Sequence, residues 1–367
     1  MKRIIYLLLL FLFAVNAAWA DDISVEQALQ IARQFSKTPT QGGSARAKSA
    51  KAITAEPRLA HAVKSKTSQK DNVYVINLGE DQGFVIVAGD DGADAEVLGY
   101  CDHGTFEYDK APVQFKDLLA NYSAGVDSLR QNQVALAKSA SIASAKAALS
   151  LPEYMGSVVV GPLLTTTWGQ SAPYNYQCPE GCPTGCGPTA ISQILRYWRW
   201  PTEYDWDNML DSYSEENIYS DVQANAVAKL MADVGKAFGT TYSSEGSGTY
   251  LNYIPFINSF GYEPNIGYES GMSGEDLIQD IKKDLNEHRP VLYEGMPEKP
   301  KGEKSGHFLV IDGYTINDYF HFNYGWEGLY DGWYKNAVCD NFGYRCTILT
   351  GIRPYDAEKI TLNSAAL

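Results

Sequence analysis

The sequence predicts an α+β fold in two successive parts, and three observations carry that prediction. Apolar residues recur with helical spacing in some windows and as short strand-like runs in others. In the C-terminal half the helical patterns come first and the strands follow in quick succession, the order typical of α+β chains. A stretch without patterning, residues 139–150, separates two halves of different character. With 367 residues, 45% of them hydrophobic, the chain is long enough for two domains.

The elements follow in order. Lys2 and Arg3 precede an unbroken apolar run of 12 residues, Ile4 to Val15, and Ala18-Trp19-Ala20 then forms a small-residue cleavage signature. That run is too short to cross ~30 Å of hydrocarbon as a helix, so residues 1–20 read as a removable secretory signal. No later run is long enough to span, so the product is expected outside the cytoplasm, extracellular or periplasmic, without stable membrane insertion. Ser24 and Gln27 form a capping box for a helix with Val25, Ala28, Leu29, Ala32 and Phe35 on one face. Residues 37–72, rich in Ser, Ala, Lys, Thr and Gln, read as a connection. Residues 72–77 and 83–88 read as a hairpin, and residues 97–100 as a short strand. Residues 113–138 read as a helix with Phe115, Leu118, Leu119, Tyr122 and Val126 on one face. The Ser/Ala/Lys-rich residues 139–150 are the expected linker and site of proteolytic nicking.

From residue 151 the chain turns rich in Gly, Pro, Tyr and Trp. Residues 187–197 read as a helix that ends before Pro201. Val227, Leu230, Met231, Val234 and Phe238 mark a second helix, and Leu277, Ile278, Ile281 and Leu285 a third. Strands are expected at 290–294, 307–312 and 319–323, the last two antiparallel. The net charge of −14 lies entirely here: residues 151–367 hold 14 Lys/Arg against 28 Asp/Glu, whereas residues 1–150 hold 16 of each. An acidic half without a basic cluster argues against nucleic acid and anionic membrane surfaces.

Three motifs carry chemistry. In Thr184-Gly-Cys-Gly-Pro-Thr-Ala190, Cys186 sits just ahead of a helix between two glycines. A thiol at a helix N-terminus feels the positive end of the dipole, which favours the attacking thiolate. In Ser305-Gly306-His307-Phe308, His307 opens a strongly apolar strand, where a base is held rigidly yet stays reachable. Asn323, 16 residues on, returns beside it after a hairpin, and its side-chain oxygen is suited to accept the imidazole N–H. Trp326 would shield that bond from water. In Thr167-Trp168-Gly169-Gln170, the Gln170 amide and the backbone N–H of Cys186 would form an oxyanion hole, where losing one donor costs about 10²–10³ in turnover. The order Gln, Cys, His, Asn is that of papain-like nucleophilic catalysis. The spacing Cys178-x₃-Cys182-x₃-Cys186 is not read as zinc, because no second Cys/His pair accompanies it. If Cys186 is a working thiol, Cys178/Cys182 and Cys339/Cys346 are available for local disulfides and Cys101 stays alone; spacing does not fix the pairing.

These motifs, with Pro162 to Asn175, Gln193 to Trp198, Gly306 to Gly313 and Asn323 to Trp326, resemble the streptopain family of cysteine peptidases. The resemblance implies a papain-like cysteine peptidase domain, residues 151–367, preceded by an α+β inhibitory propeptide, residues 21–150. It implies Cys186 as nucleophile, His307 as base, Gln170 in the oxyanion hole, Asn323 or its neighbours behind the histidine, and Gly306, Ser244 and Ser247 along the substrate cleft. The expected partners are protein or peptide substrates and the chain's own propeptide, with no cofactor, metal or nucleic acid. Two features depart from the family pattern: Gly187-Pro188 follows the nucleophile where small or branched apolar residues are usual, and Tyr324 replaces a tryptophan. A binding protein on an inactive scaffold, another papain-like acyl-transfer enzyme, and a structural protein stapled by all six cysteines are the competing readings.

Overall fold

Helix α1 (Val25–Lys37) starts where its cap is written: Gln27 N–H donates to Ser24 Oγ at 3.3 Å and Ser24 N–H to Gln27 Oε1 at 2.7 Å. The computed structural model describes residues 21–37, 56–93, 96–139, 156–213, 218–270, 274–297, 306–335 and 344–355. The signal segment, most of the expected linker, Cys339 and the end of the chain lie outside the described residues. After α1 come β1 (Arg58–Lys64), β2 (Asp71–Asn77), β3 (Phe84–Ala88), β4 (Val97–Cys101) and the long α2 (Val113–Ser139). Then follow β5 (Val158–Val160), α3 (Cys186–Trp198), α4 (Asp221–Ala237), α5 (Ile254–Phe260), β6 (Gly267–Ser270) and α6 (Glu275–Asn286). The chain closes with β7 (Val291–Pro297), β8 (His307–Thr315), β9 (Tyr319–Asn323), β10 (Gly332–Lys335) and β11 (Tyr344–Thr350).

The mixed helix-and-sheet class is as expected. One expectation is corrected: β1 lies inside the stretch read as a connection. It is an outer strand, paired only with β2 and interrupted by two irregularities, and most of its side chains are half-exposed. No period-2 signal survives in such a strand.

The strands form one sheet in the order β1-β2-β3-β4-β10-β9-β8-β7-β11-β6, with β5 added against β8. N-terminal and C-terminal strands meet at β4 and β10, where Tyr100 pairs with Trp333 and Gly99 with Tyr334. Three cores flank the sheet. One joins α1 to Tyr74, Val85 and Val87, and reaches Tyr319 and Trp333. A second lies under α3, α4 and α5. The third joins Phe84, Phe106, Phe115 and Leu119 to Leu309, Phe322, Tyr324 and Tyr334. In β8 the side chains alternate, so Phe308 and Val310 enter the second core while Leu309 and Ile311 enter the third. The start of β8 therefore stands between the helical layer that carries Cys186 and the layer that carries α2.

Candidate active site

Cys186 is the first residue of α3, and Gly185 is its cap at φ 87°. That left-handed angle suits glycine, and a β-carbon there would lie 2.7 Å from the Ser247 carbonyl. Gly187 is equally constrained: a β-carbon would meet Thr249 at 2.7 Å. The glycine after the cysteine thus belongs to the close approach of the 241–249 loop. The same loop pins the segment before Cys186, with Ser247 Oγ donating to the Pro183 carbonyl at 2.6 Å. Ser244 is exposed on the turn of that loop. On the other side, Thr184 N–H donates to the Gln170 carbonyl at 3.0 Å, and Thr189 Oγ1 donates to the carbonyls of Gly185 at 3.0 Å and Gly169 at 3.3 Å. Gln170 is thereby tied to the cysteine loop through its backbone.

Burial pushes the Cys186 thiol up, and the charge of Glu294 adds to the rise. Backbone groups of Phe308, Gly187 and Cys186 act in the opposite direction but do not prevail. The expected gain from the helix N-terminus, typically about 0.3–1 kcal/mol, is outweighed by desolvation in this arrangement. Cys186 is a free thiol, as are Cys101, Cys178 and Cys182, so the Cys178/Cys182 disulfide is not formed; Cys346 is disulfide-bonded.

His307 is buried at the first position of β8. Its Nε2–H donates to the Tyr324 carbonyl at 2.9 Å. The ring lies 4.4 Å from Trp326 and 5.8 Å from Tyr324, centroid to centroid. Burial lowers its pKa to about 4, although the Tyr324 carbonyl favours the charged form. The imidazole is therefore neutral at neutral pH. A cavity of about 40 Å³ adjoins it, walled by Gln114, Leu118 and Asn121 of α2 together with Tyr293 and Tyr324. Among the described residues no hydrogen bond joins Cys186 to His307.

The side chain of Asn323 is engaged elsewhere. Its Oδ1 accepts from Gln193 Nε2 at 2.9 Å and from Gly325 N–H at 3.1 Å, and its Nδ2 donates to the Thr166 carbonyl at 2.8 Å. The acceptor on the imidazole is the carbonyl of the next residue, not the asparagine oxygen expected from the sequence. The physical reason is the β9 terminus, where Asn323 faces α3 and the chain then turns under His307. Trp326 packs on the histidine ring, and half-buried Gly306 directly precedes it.

Sequence reasoning missed Gln193. Its Oε1 accepts from Thr166 Oγ1 at 2.9 Å and from Trp168 N–H at 3.2 Å, so one side chain links α3, the Gln170 segment and the end of β9. The available signal was its position two turns after Cys186, as a long polar side chain within the buried stretch of α3. Asp331 was also missed: its Oδ1 accepts the Tyr324 N–H at 2.7 Å, and burial raises its pKa to about 6.

Two family models match the chain: the Peptidase C10 family over residues 168–203 and 202–334, and the Spi protease inhibitor over residues 20–126. The chain is 28% identical over 381 residues to the thiol protease/hemagglutinin PrtT of Porphyromonas gingivalis, covering 92% of this chain but 41% of that protein. It is 28% identical over 316 residues to streptopain of Streptococcus pyogenes, covering 72% and 73%. Among solved structures, a mutant fragment of prointerpain A from Prevotella intermedia is similar with a TM-score of 0.58 and 26% identity, covering 80% of this chain and 98% of that one.

Proposed function

Because the chain belongs to the peptidase C10 family of cysteine peptidases, we propose that it is an exported cysteine endopeptidase made as a self-inhibited zymogen. The observation that carries this reading is the state of His307. It is neutral, bonded to the Tyr324 carbonyl and unconnected to Cys186, beside a cavity walled by α2. With the thiol also pushed up, the proton stays on the sulfur and the base is held away from it.

Removal of the N-terminal segment takes away the α2 wall and lets His307 turn to Cys186. The imidazole takes the Cys186 proton, and the thiolate so formed attacks a peptide carbonyl. The Gln170 amide and the Cys186 N–H stabilise the oxyanion. His307 protonates the leaving amine, and water clears the acyl-enzyme. Asn323 fixes the turn that carries Tyr324 and Trp326, and Trp326 screens the imidazole. Gly306, Ser247 and Ser244 border the cleft. The propeptide is assigned to residues 21–150 and the catalytic domain to 151–367, with activating cleavage between residues 139 and 157. Shedding roughly 120–135 residues after the signal is expected to speed the enzyme.

The test uses E-64, an irreversible cysteine-peptidase inhibitor, on the chain lacking residues 1–20 under mild reduction, with the adduct located by mass spectrometry. Labelling is expected at Cys186, faster after trimming, and lost in His307→Ala. No adduct on any cysteine, with casein left intact, would sink the reading and favour a binding protein on an inactive scaffold.

A further inference from the structure

Strand β7 alternates like its neighbour. Val291 and Tyr293 enter the core shared with α2, while Leu292 enters the core under α3. Glu294 is next on the Leu292 face, the face that carries Cys186. In register it lies opposite Phe308 of β8 on one side and Thr347 of β11 on the other. Cys186 packs against the core that holds Leu292 and Phe308, and the Glu294 charge raises that thiol's pKa. Glu294 is half-buried, and among the described residues it has no ion pair and no hydrogen bond. Burial alone pushes its carboxyl up to about 7.

A carboxylate at this depth without a cation is unfavourable, because desolvation is not offset by a partner. It also opposes ionisation of the neighbouring thiol. A cation supplied from outside removes both penalties. The wall beside it is apolar, built from Leu292 and Phe308. An aliphatic stem can lie along such a wall while its charged head meets the carboxylate. Lysine and arginine have that shape.

Resting on the reading of Cys186 as nucleophile, we propose that Glu294 is a specificity-determining residue that selects peptide substrates carrying lysine or arginine near the scissile bond. An extended peptide advances about 3.3 Å per residue, so the selected side chain lies within roughly two residues of the bond that breaks.

The experiment measures kcat/KM of the self-processed enzyme on fluorogenic peptides that differ at one position, with lysine, norleucine or glutamate there. The position is scanned across the scissile bond, and Cys186 labelling by E-64 is measured on the same preparations. At one position the lysyl peptide is expected to exceed the norleucyl peptide by about tenfold or more. In Glu294→Gln that ratio falls toward one, and in Glu294→Lys the preference turns to the glutamyl peptide. Normal Cys186 labelling with lysyl and norleucyl peptides cleaved alike at every position would overturn the assignment of Glu294 alone. A lysyl preference that survives unchanged in Glu294→Gln would do the same. No labelling and no cleavage would overturn the nucleophile reading and this assignment together.

Discussion

At the scale of single residues, Gln193 connects what the sequence separates. Its amide uses its acceptor for Thr166 and Trp168 and its donor for Asn323, 130 residues away. All of these atoms are buried or nearly so. Gln193→Ala leaves buried donors without an acceptor, each worth about 1–3 kcal/mol. Urea unfolding in a Cys186→Ala background is expected to show a loss of about 2–4 kcal/mol. A loss below about 0.5 kcal/mol would mean that the network does not hold the site. The places of Cys186 at a helix start and of His307 at a strand start were legible because their signals are local. The partner of His307 was not legible for a physical reason. A backbone carbonyl is present at every residue, so nothing about the side chain at position 324 announces that its carbonyl will accept the imidazole N–H.

Among the elements, α2 packs against side chains from both halves of the chain. Phe115 is buried among Phe84, Phe106, Tyr324, Tyr330 and Tyr334, with the Tyr330 ring 4.5 Å away. Leu118, one turn on, walls the cavity beside His307. Truncating a buried leucine to alanine costs about 2–5 kcal/mol, here at the contact that confines the imidazole. Leu118→Ala in the full chain is therefore expected to start self-processing earlier than wild type, followed by gel over time. The trimmed enzyme should label with E-64 at the wild-type rate, and unchanged onset would show that α2 does not hold His307. The apolar face of α2 was readable because its period persists for several turns, and the same holds for α3, α4 and α6. The strands β5, β6 and β10 run only three or four residues, too short for a period to declare itself. Helix α5 has seven residues. The Ser220–Gln223 capping box before α4 repeats the Ser24–Gln27 pattern, with Gln223 N–H donating to Ser220 Oγ at 3.3 Å. That start was as legible in principle as that of α1.

For the whole molecule, one sheet running from β1 to β6 makes the N-terminal and C-terminal strands a continuous structure. Proton uptake at the candidate site is therefore linked to the stability of the closed form. Burial lowers His307 from 6.5 to about 4, so between those values an opened chain binds a proton that the closed form does not. The histidine contribution is full above about pH 6.5 and is lost as pH falls toward 4. At pH 5 that amounts to about 2 kcal/mol favouring the opened chain. Asp331 works in the other direction. Burial raises it from 3.8 to about 6, so its contribution favours the closed form at low pH and fades as pH rises through that window. Glu294 has the same sign, from 4.5 to about 7. A raw pH profile therefore mixes opposed slopes, and a comparison between variants separates them. Urea unfolding of Cys186→Ala and of Cys186→Ala/His307→Gln should be measured at pH 7 and pH 5. Acidification is expected to cost the protein with His307 about 2 kcal/mol more than the protein without it. Equal pH dependence in the two proteins would mean that His307 is not confined as a neutral ring, and the account of self-inhibition through its burial would fall with it.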